Sequence, residues 1–292
     1  MPFSVPLPKM GHKHTRERRL HCDTLSGKSS RTIEKFTAFE RQADVLVDEK
    51  NFKKADRKLR KALTCLFEIH GKYTPHPDVA KIQTKLGYVQ EKLHDKRKSL
   101  HYLERALLTW RQLNSNYLDD PDDKIAYLIT DLCRCWRKFG DNEKAVEYGE
   151  DAVTMREQLF SSHRNSQTCL SLAYAHYNLG KSYCYPQGDL RKALEHLKRA
   201  SWCLDEISHH SLFSNKLRDE TPMIRFKAKV YTSIGECHKD CGELVLAMNY
   251  TKLAFQLFKI VHGANSTHRD ITTVLQLMVV IERRVKREVM KR

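Results

Sequence analysis

The residues most able to do chemistry are the thiols and imidazoles. The stretch "CHKDC" places Cys237, His238 and Cys241 close together, and Cys237 and Cys241 at i, i+4 share a helix face where they can share a metal. A structural zinc usually takes four ligands in paired turns, and no second pair with suitable spacing follows. Packing is therefore the reading taken for these residues, and no metal or other cofactor is expected. Cys133 and Cys135 point to different helix faces. A Cys nucleophile with a distant His and Asp can be assembled on paper, but there is no nucleophile elbow, phosphate loop or paired metal-binding His motif. "LSGKSSR" (Leu25–Arg31) holds "GKS" without the earlier glycine and without a preceding strand. "LDDPDD" (Leu118–Asp123) reads as a helix start, where acids favour the exposed amides, rather than as a cation loop. These observations argue against an enzyme.

What must position any site is a set of helices. In 292 residues there are only 11 Gly and 8 Pro, too few for the frequent turns of an all-β chain. The net charge is +16. Residues 1–35 contribute eight Lys/Arg against three acids, and residues 281–292 six against two, so the basicity is concentrated at the ends. The nine Cys (Cys22, Cys65, Cys133, Cys135, Cys169, Cys184, Cys203, Cys237, Cys241) form no regular framework. No apolar run is read as a signal peptide or as the ~18 residues of a membrane span. A cytoplasmic protein with reduced thiols and no membrane insertion is expected, with cytoskeletal association as a variant. Residues 1–35, poor in apolar positions, are expected to be a disordered basic tail, and "HKHTRERR" (His12–Arg19) is too mixed for a nuclear signal.

An internal repeat organises the rest. Small residues seven apart recur as Ala55/Ala62, Ser99/Ala106, Ala145/Ala152, Ala193/Ala200 and Ala247/Ala254. Seven residues are two helical turns, so each pair opens one face to a neighbouring helix. Leu59, Leu63, Leu103, Leu107, Leu197 and Phe255 fill the same faces. Five residues before each first small residue stand Lys50, His94, Gly140, Gly188 and Gly242, each followed by Asn, Asp or Glu. A glycine there stops one helix in a left-handed conformation and the polar residue caps the next; Lys50 and His94 should be weaker stops. Ala43, Gly87, Cys133 and Gly235 lie twelve before the first small residue, while Gly180 lies thirteen before Ala193, which marks an insertion near Pro186.

This pattern of helix, Gly-Asp turn and helix resembles the tetratricopeptide repeat. "HGKYTPHPDVAKIQTKLGYV" (His70–Val89) and "HGANSTHRDITTVL" (His262–Leu275) resemble the linkers of kinesin light chain-type repeats, as does the wider spacing: 62, 106, 152, 200 and 254 are 44, 46, 48 and 54 apart. The resemblance implies an all-α, right-handed α-solenoid of about five repeats over 36–268 (near 36–70, 76–115, 122–160, 166–207 and 222–262). A capping helix with a basic end should occupy 269–292. The loop Ser208–Pro222 is longer than packing requires, and "VLQLMVVI" (Val274–Ile281) is apolar on more than one side, so it either docks or meets a partner or second copy.

The resemblance also implies a groove lined by the first helix of each repeat. Its positions here are Lys81, Thr84, Lys85 and Tyr88; Tyr127, Thr130, Asp131, Arg134, Arg137 and Lys138; Tyr174, Tyr177, Asn178 and Lys181; and Lys229, Thr232, Ser233, Glu236 and Lys239. Tyrosines and cations suit an extended peptide or partner helix of acidic or mixed charge, and Asn178 matches an asparagine that in such repeats bonds the ligand main chain. The set that grips a free C-terminus in the carboxylate-clamp subtype is absent. The expected function is a non-catalytic protein-interaction scaffold, with cytoskeletal, transport or ciliary assembly as the setting that family analogy implies. The alternative is an RNA- or DNA-binding adaptor acting through the basic tails and the lysine-rich first repeat, "NFKKADRKLRKAL" (Asn51–Leu63). That helix reads chiefly as packing: Asn51 caps it, Ala55 and Ala62 face a neighbour, and its cations point outward.

Overall fold

The computed structural model describes residues 27–113, 122–185, 188–209, 221–263 and 266–290. Among them every regular element is a helix. The N-terminal residues 1–26, most of "LDDPDD" and most of the 208–222 loop lie outside the described residues.

The chain divides into two compact units, Met1–Asp119 and Asp120–Arg292. The first holds α1 (Gly27–Asp48), α2 (Phe52–His70), α3 (Pro77–Lys92) and α4 (Lys96–Leu113). The second holds α5 (Asp123–Phe139), α6 (Asn142–Ser162), α7 (Ser166–Tyr183), α8 (Leu190–His209), α9 (Thr221–Asp240), α10 (Leu244–His262) and α11 (Arg269–Met290). The expected tail boundary at residue 35 falls inside α1, whose apolar positions Phe36 and Ala43 are buried against α2.

Each pair is held at the small residues that the repeat pattern singles out. A methyl on Gly87 would lie 2.6 Å from Leu103 Cδ2, one on Gly180 2.9 Å from Leu197 Cγ, and one on Gly235 2.6 Å from Thr251 Oγ1. Backbones therefore approach within reach of side-chain bonds, as in Ser99 Oγ donating to the Gly87 carbonyl at 2.8 Å. Ala55, Ala62, Ala106, Ala145, Ala193, Ala200, Ala247 and Ala254 are all fully buried.

The turns follow the same logic with corrections. Gly140 and Gly242 take positive φ, and so do Lys50 (φ 60) and His94 (φ 62), which accept the strained conformation because the next helix must start at once. Asp141 caps α6 by accepting from the Lys144 amide at 3.1 Å, and Asp122 caps α5 at 2.6 Å from the Lys124 amide. Asn51 occupies the cap position of α2, but its side chain makes no cap hydrogen bond; its carbonyl accepts from Ala55 instead. At the insertion, Gly188 fits a tight turn in which a Cβ would meet the Tyr183 carbonyl oxygen at 2.1 Å.

Within each unit the first helices of successive pairs lie side by side and run the same way. Lys85 meets Glu40 across α1 and α3, 45 residues apart. In the second unit Cys133 meets Ser182 (49 apart), Lys181 meets Glu236 (55), Cys184 meets Cys237 (53) and Arg225 meets Asp270 (45). Arg284 donates to the Lys239 carbonyl, again 45 apart. Offsets that stay nearly constant as contacts advance along both helices require parallel neighbours, which is the arrangement of stacked helix pairs.

One sequence expectation fails on length and composition: α10 is, among the described residues, the single helix long and apolar enough to cross a membrane. It carries Lys252 and Lys259, and Ala247, Thr251, Ala254 and Phe258 are buried, Ala254 and Phe258 in the core beside α9 and α11. α11 buries Ile271, Val274, Leu277 and Ile281, while Leu275, Val279 and Val280 remain exposed beside Gln276 and Arg283.

Candidate functional site

The expected groove residues stand on first helices in both units, but their surroundings differ from what their types alone convey. In the first unit Lys81 pairs with Glu40 at 2.6 Å, and Lys85 pairs with Glu40 at 3.0 Å and Asp44 at 2.6 Å. Burial alone would raise the Glu40 pKa; the two ammonium groups outweigh it and hold the carboxyl below its ordinary range. Both lysines therefore brace α3 against α1. Tyr88 packs against the core beneath Lys92, 4.9 Å over its ring, and Thr84 bonds back to the Ala80 carbonyl.

In the second unit the row α5, α7 and α9 gathers the remaining residues. Tyr127 is half-buried on α5, and Thr130 bonds to the Ala126 carbonyl at 2.7 Å. Arg134 reaches Asp131 one turn away at 2.7 Å. Arg137 is half-buried with Nε lacking a hydrogen-bond partner, and Lys138 is exposed.

On α7, Tyr174 stacks on Phe226 of α9 (centroids 4.0 Å, 14°) and Tyr177 meets the same ring edge-on at 5.4 Å. This three-ring cluster is what sequence reading missed: Phe226 is fully buried, and it fixes the two tyrosines half-exposed between the helices. Burial pushes the Tyr174 hydroxyl well above the usual range. Asn178, 6% exposed, donates to the Tyr174 carbonyl at 3.0 Å.

Lys181 pairs with Glu236 at 2.9 Å. Burial disfavours its ammonium, but the carboxylate prevails and its pKa is raised. Lys239 pairs with Asp240 at 3.0 Å, Thr232 bonds to the Ala228 carbonyl, and Ser233 is buried. Lys229 is half-buried and burial draws it down to about 8, opposed by Asp270. The face is thus a mesh of opposite charges around an aromatic centre rather than a strip of free cations.

The described residues include one cluster able to hold a metal: His262, His268 and Asp270, with ligand atoms within 4.8 Å. A His2Asp set suits a divalent transition metal. Against it, Asp270 already takes Arg225 Nε at 2.6 Å, and the two imidazoles stack at 3.7 Å and 11°, so their in-plane lone pairs do not converge. His70 and His76 stack likewise at 3.7 Å and 14°, and His76 Nδ1 accepts from the Asp78 amide just as His268 Nδ1 accepts from the Asp270 amide. The same H-G-x4-H-x-D spacing at 70–78 and 262–270 therefore builds the same linker brace twice.

Cys241, expected on one face with Cys237, is exposed, whereas Cys237 is buried with its sulfur turned to Cys184 at 2.9 Å. The cations of α2 do point outward, with Arg60 held by Asp56 at 2.9 Å and Lys58 and Lys61 over the Phe39 ring.

No protein-family model matches the sequence, and no curated protein matches it. Solved structures do match. BtubC (BKLC) from P. vanneervenii aligns with a TM-score of 0.59 at 19% identity, over 83% of this chain and 92% of that one. The apo form of RapI gives 0.59 at 16%, over 84% and 83%. The apo quorum sensor NprR from B. thuringiensis gives 0.59 at 12%, over 93% and 64%. At these identities the likeness is one of fold, and it agrees with the helix pairs, capped turns and small-residue crossings: the chain has a tetratricopeptide-like repeat fold, all-α throughout its described residues.

Proposed function

We propose that the protein is a non-catalytic scaffold that binds an extended peptide or partner helix of mixed charge along α5, α7 and α9. The observation that carries this reading is the row itself: Tyr127, Tyr174 and Tyr177 stand half-exposed on neighbouring parallel helices, flanked by the pairs Arg134–Asp131 and Lys181–Glu236. Fixed aromatic faces supply contact area at low entropic cost, and paired charges exchange partners with a ligand carrying both signs. The shared fold of a quorum sensor is consistent with a role in recognition.

Arg134 and Arg137 are half-buried cations on this row, suited to the acidic side chains of a mixed-charge ligand. The test is selection of random peptides on the wild-type protein, followed by binding to a protein with Arg134→Glu and Arg137→Glu. Loss of at least about tenfold in affinity supports the reading. Unchanged binding by a folded double variant overturns it, and selective, salt-steep binding of RNA would favour the nucleic-acid alternative.

A second reading, self-association through α11, is favoured by the open apolar stripe Leu275, Val279 and Val280. Its occupant would be a second copy of this chain. Sedimentation of the wild type against Val279→Lys tests it: a concentration-dependent dimer lost in the variant supports the contact, and a monomer at all concentrations contradicts it. Cytoplasmic placement belongs to the same proposal.

A further inference from the structure

Cys184 and Cys237 are brought together from different repeats. Cys184 follows the last residue of α7 and Cys237 lies in the last turn of α9, and their sulfurs are 2.9 Å apart. That is inside ordinary contact of two sulfurs and within about 1 Å of a disulfide bond length. The hydrogen bonds give the pair a direction: the Cys184 thiol donates to the Gly180 carbonyl at 3.2 Å, which leaves Cys237 to donate its S–H to Cys184. Cys184 is the more exposed of the two, with the cations Lys181 and Arg137 nearby; Cys237 is 1% exposed.

We propose that Cys184 and Cys237 are a reversible thiol–disulfide pair, oxidised by hydroperoxides such as hydrogen peroxide, that locks α7 to α9. The hydrogen bond from Cys237 lowers the Cys184 pKa and raises that of Cys237, which assigns the roles. The Cys184 thiolate attacks one peroxide oxygen and the O–O bond breaks, giving a sulfenic acid and hydroxide. The Cys237 sulfur then attacks the sulfenic sulfur, losing its proton and displacing hydroxide; the two hydroxides leave as two waters, with two thiols oxidised and one peroxide reduced. Dithiol reductants reverse the step. Cys241, exposed in the turn just past the end of α9, is the internal control for indiscriminate oxidation. The bond-forming chemistry does not depend on peptide binding, although the locked helices are those of the proposed peptide surface.

The test uses the full-length protein: stoichiometric hydrogen peroxide, alkylation in denaturant, and peptide mapping without reduction. The expected result is loss of two thiols per chain together, a cross-linked peptide joining Cys184 to Cys237, and its disappearance on reduction with dithiothreitol. Cys237→Ser should instead leave a sulfenic acid at Cys184 that dimedone captures. Independent alkylation of Cys184 and Cys237 after Cys241 has been oxidised overturns the proposal, as does a Cys184–Cys241 link. Because the decisive map is made on wild-type protein, misfolding of a serine variant leaves the test intact.

Discussion

Lys181 on α7 and Glu236 on α9 form a 2.9 Å ion pair across two repeats, beside the Tyr174–Phe226 stack and the Cys184–Cys237 contact. Charge, aromatic and sulfur contacts thus fix the register of two parallel helices within a few turns. The pair is partly open to solvent, so its energetic share is modest. A double-mutant cycle with Lys181→Met and Glu236→Gln, read by denaturant unfolding, should give a coupling of roughly 0.5–1 kcal/mol. A coupling near zero would mean that the rings alone set the register.

Glycine substitutions separate two uses of the residue. Gly235→Ala puts a methyl 2.6 Å from Thr251 Oγ1 and 3.2 Å from the Ala247 carbonyl, so helix crossing must loosen at a cost of about 1–3 kcal/mol. Gly242→Ala meets nothing within 4 Å, and its cost of about 1 kcal/mol comes from φ +81 alone. Equal losses of stability at both sites would contradict the close-approach account.

Acid stability should report on His176. This imidazole is 3% exposed, 3.1 Å from His196 through their Nδ1 atoms, and burial lowers its pKa to about 3, with His196 and Arg199 adding to the shift; Glu157 lies 3.8 Å away. The folded state therefore refuses a proton that the unfolded chain accepts below its ordinary value of 6.5. Stability from this group is complete above that value and falls as pH drops toward 3. His176→Phe should flatten the loss in thermal unfolding measured between those limits, and an unchanged slope would place the acid sensitivity elsewhere.

The fold was legible because its constraints are local: small residues at Gly87, Gly180 and Gly235 mark crossings, and Asp122 and Asp141 mark helix starts. The site was legible only as a row of positions. Lys85 reads as a free cation until Glu40 and Asp44 are placed 45 and 41 residues before it, and Lys181 until Glu236 is placed 55 after it. Such partners depend on the register between repeats, which local sequence patterns do not specify. For the same reason Cys237 read as simple packing until Cys184 stood opposite it.

The proposed recognition surface is formed by α5, α7 and α9. Hydrogen–deuterium exchange of the full-length protein, with and without a peptide selected on it, tests this most directly. Binding should slow exchange in 123–139, 166–183 and 221–240 while leaving the outer helices α6, α8 and α10 unchanged. Protection confined to those outer helices, or to the exposed stripe of α11, would contradict the account.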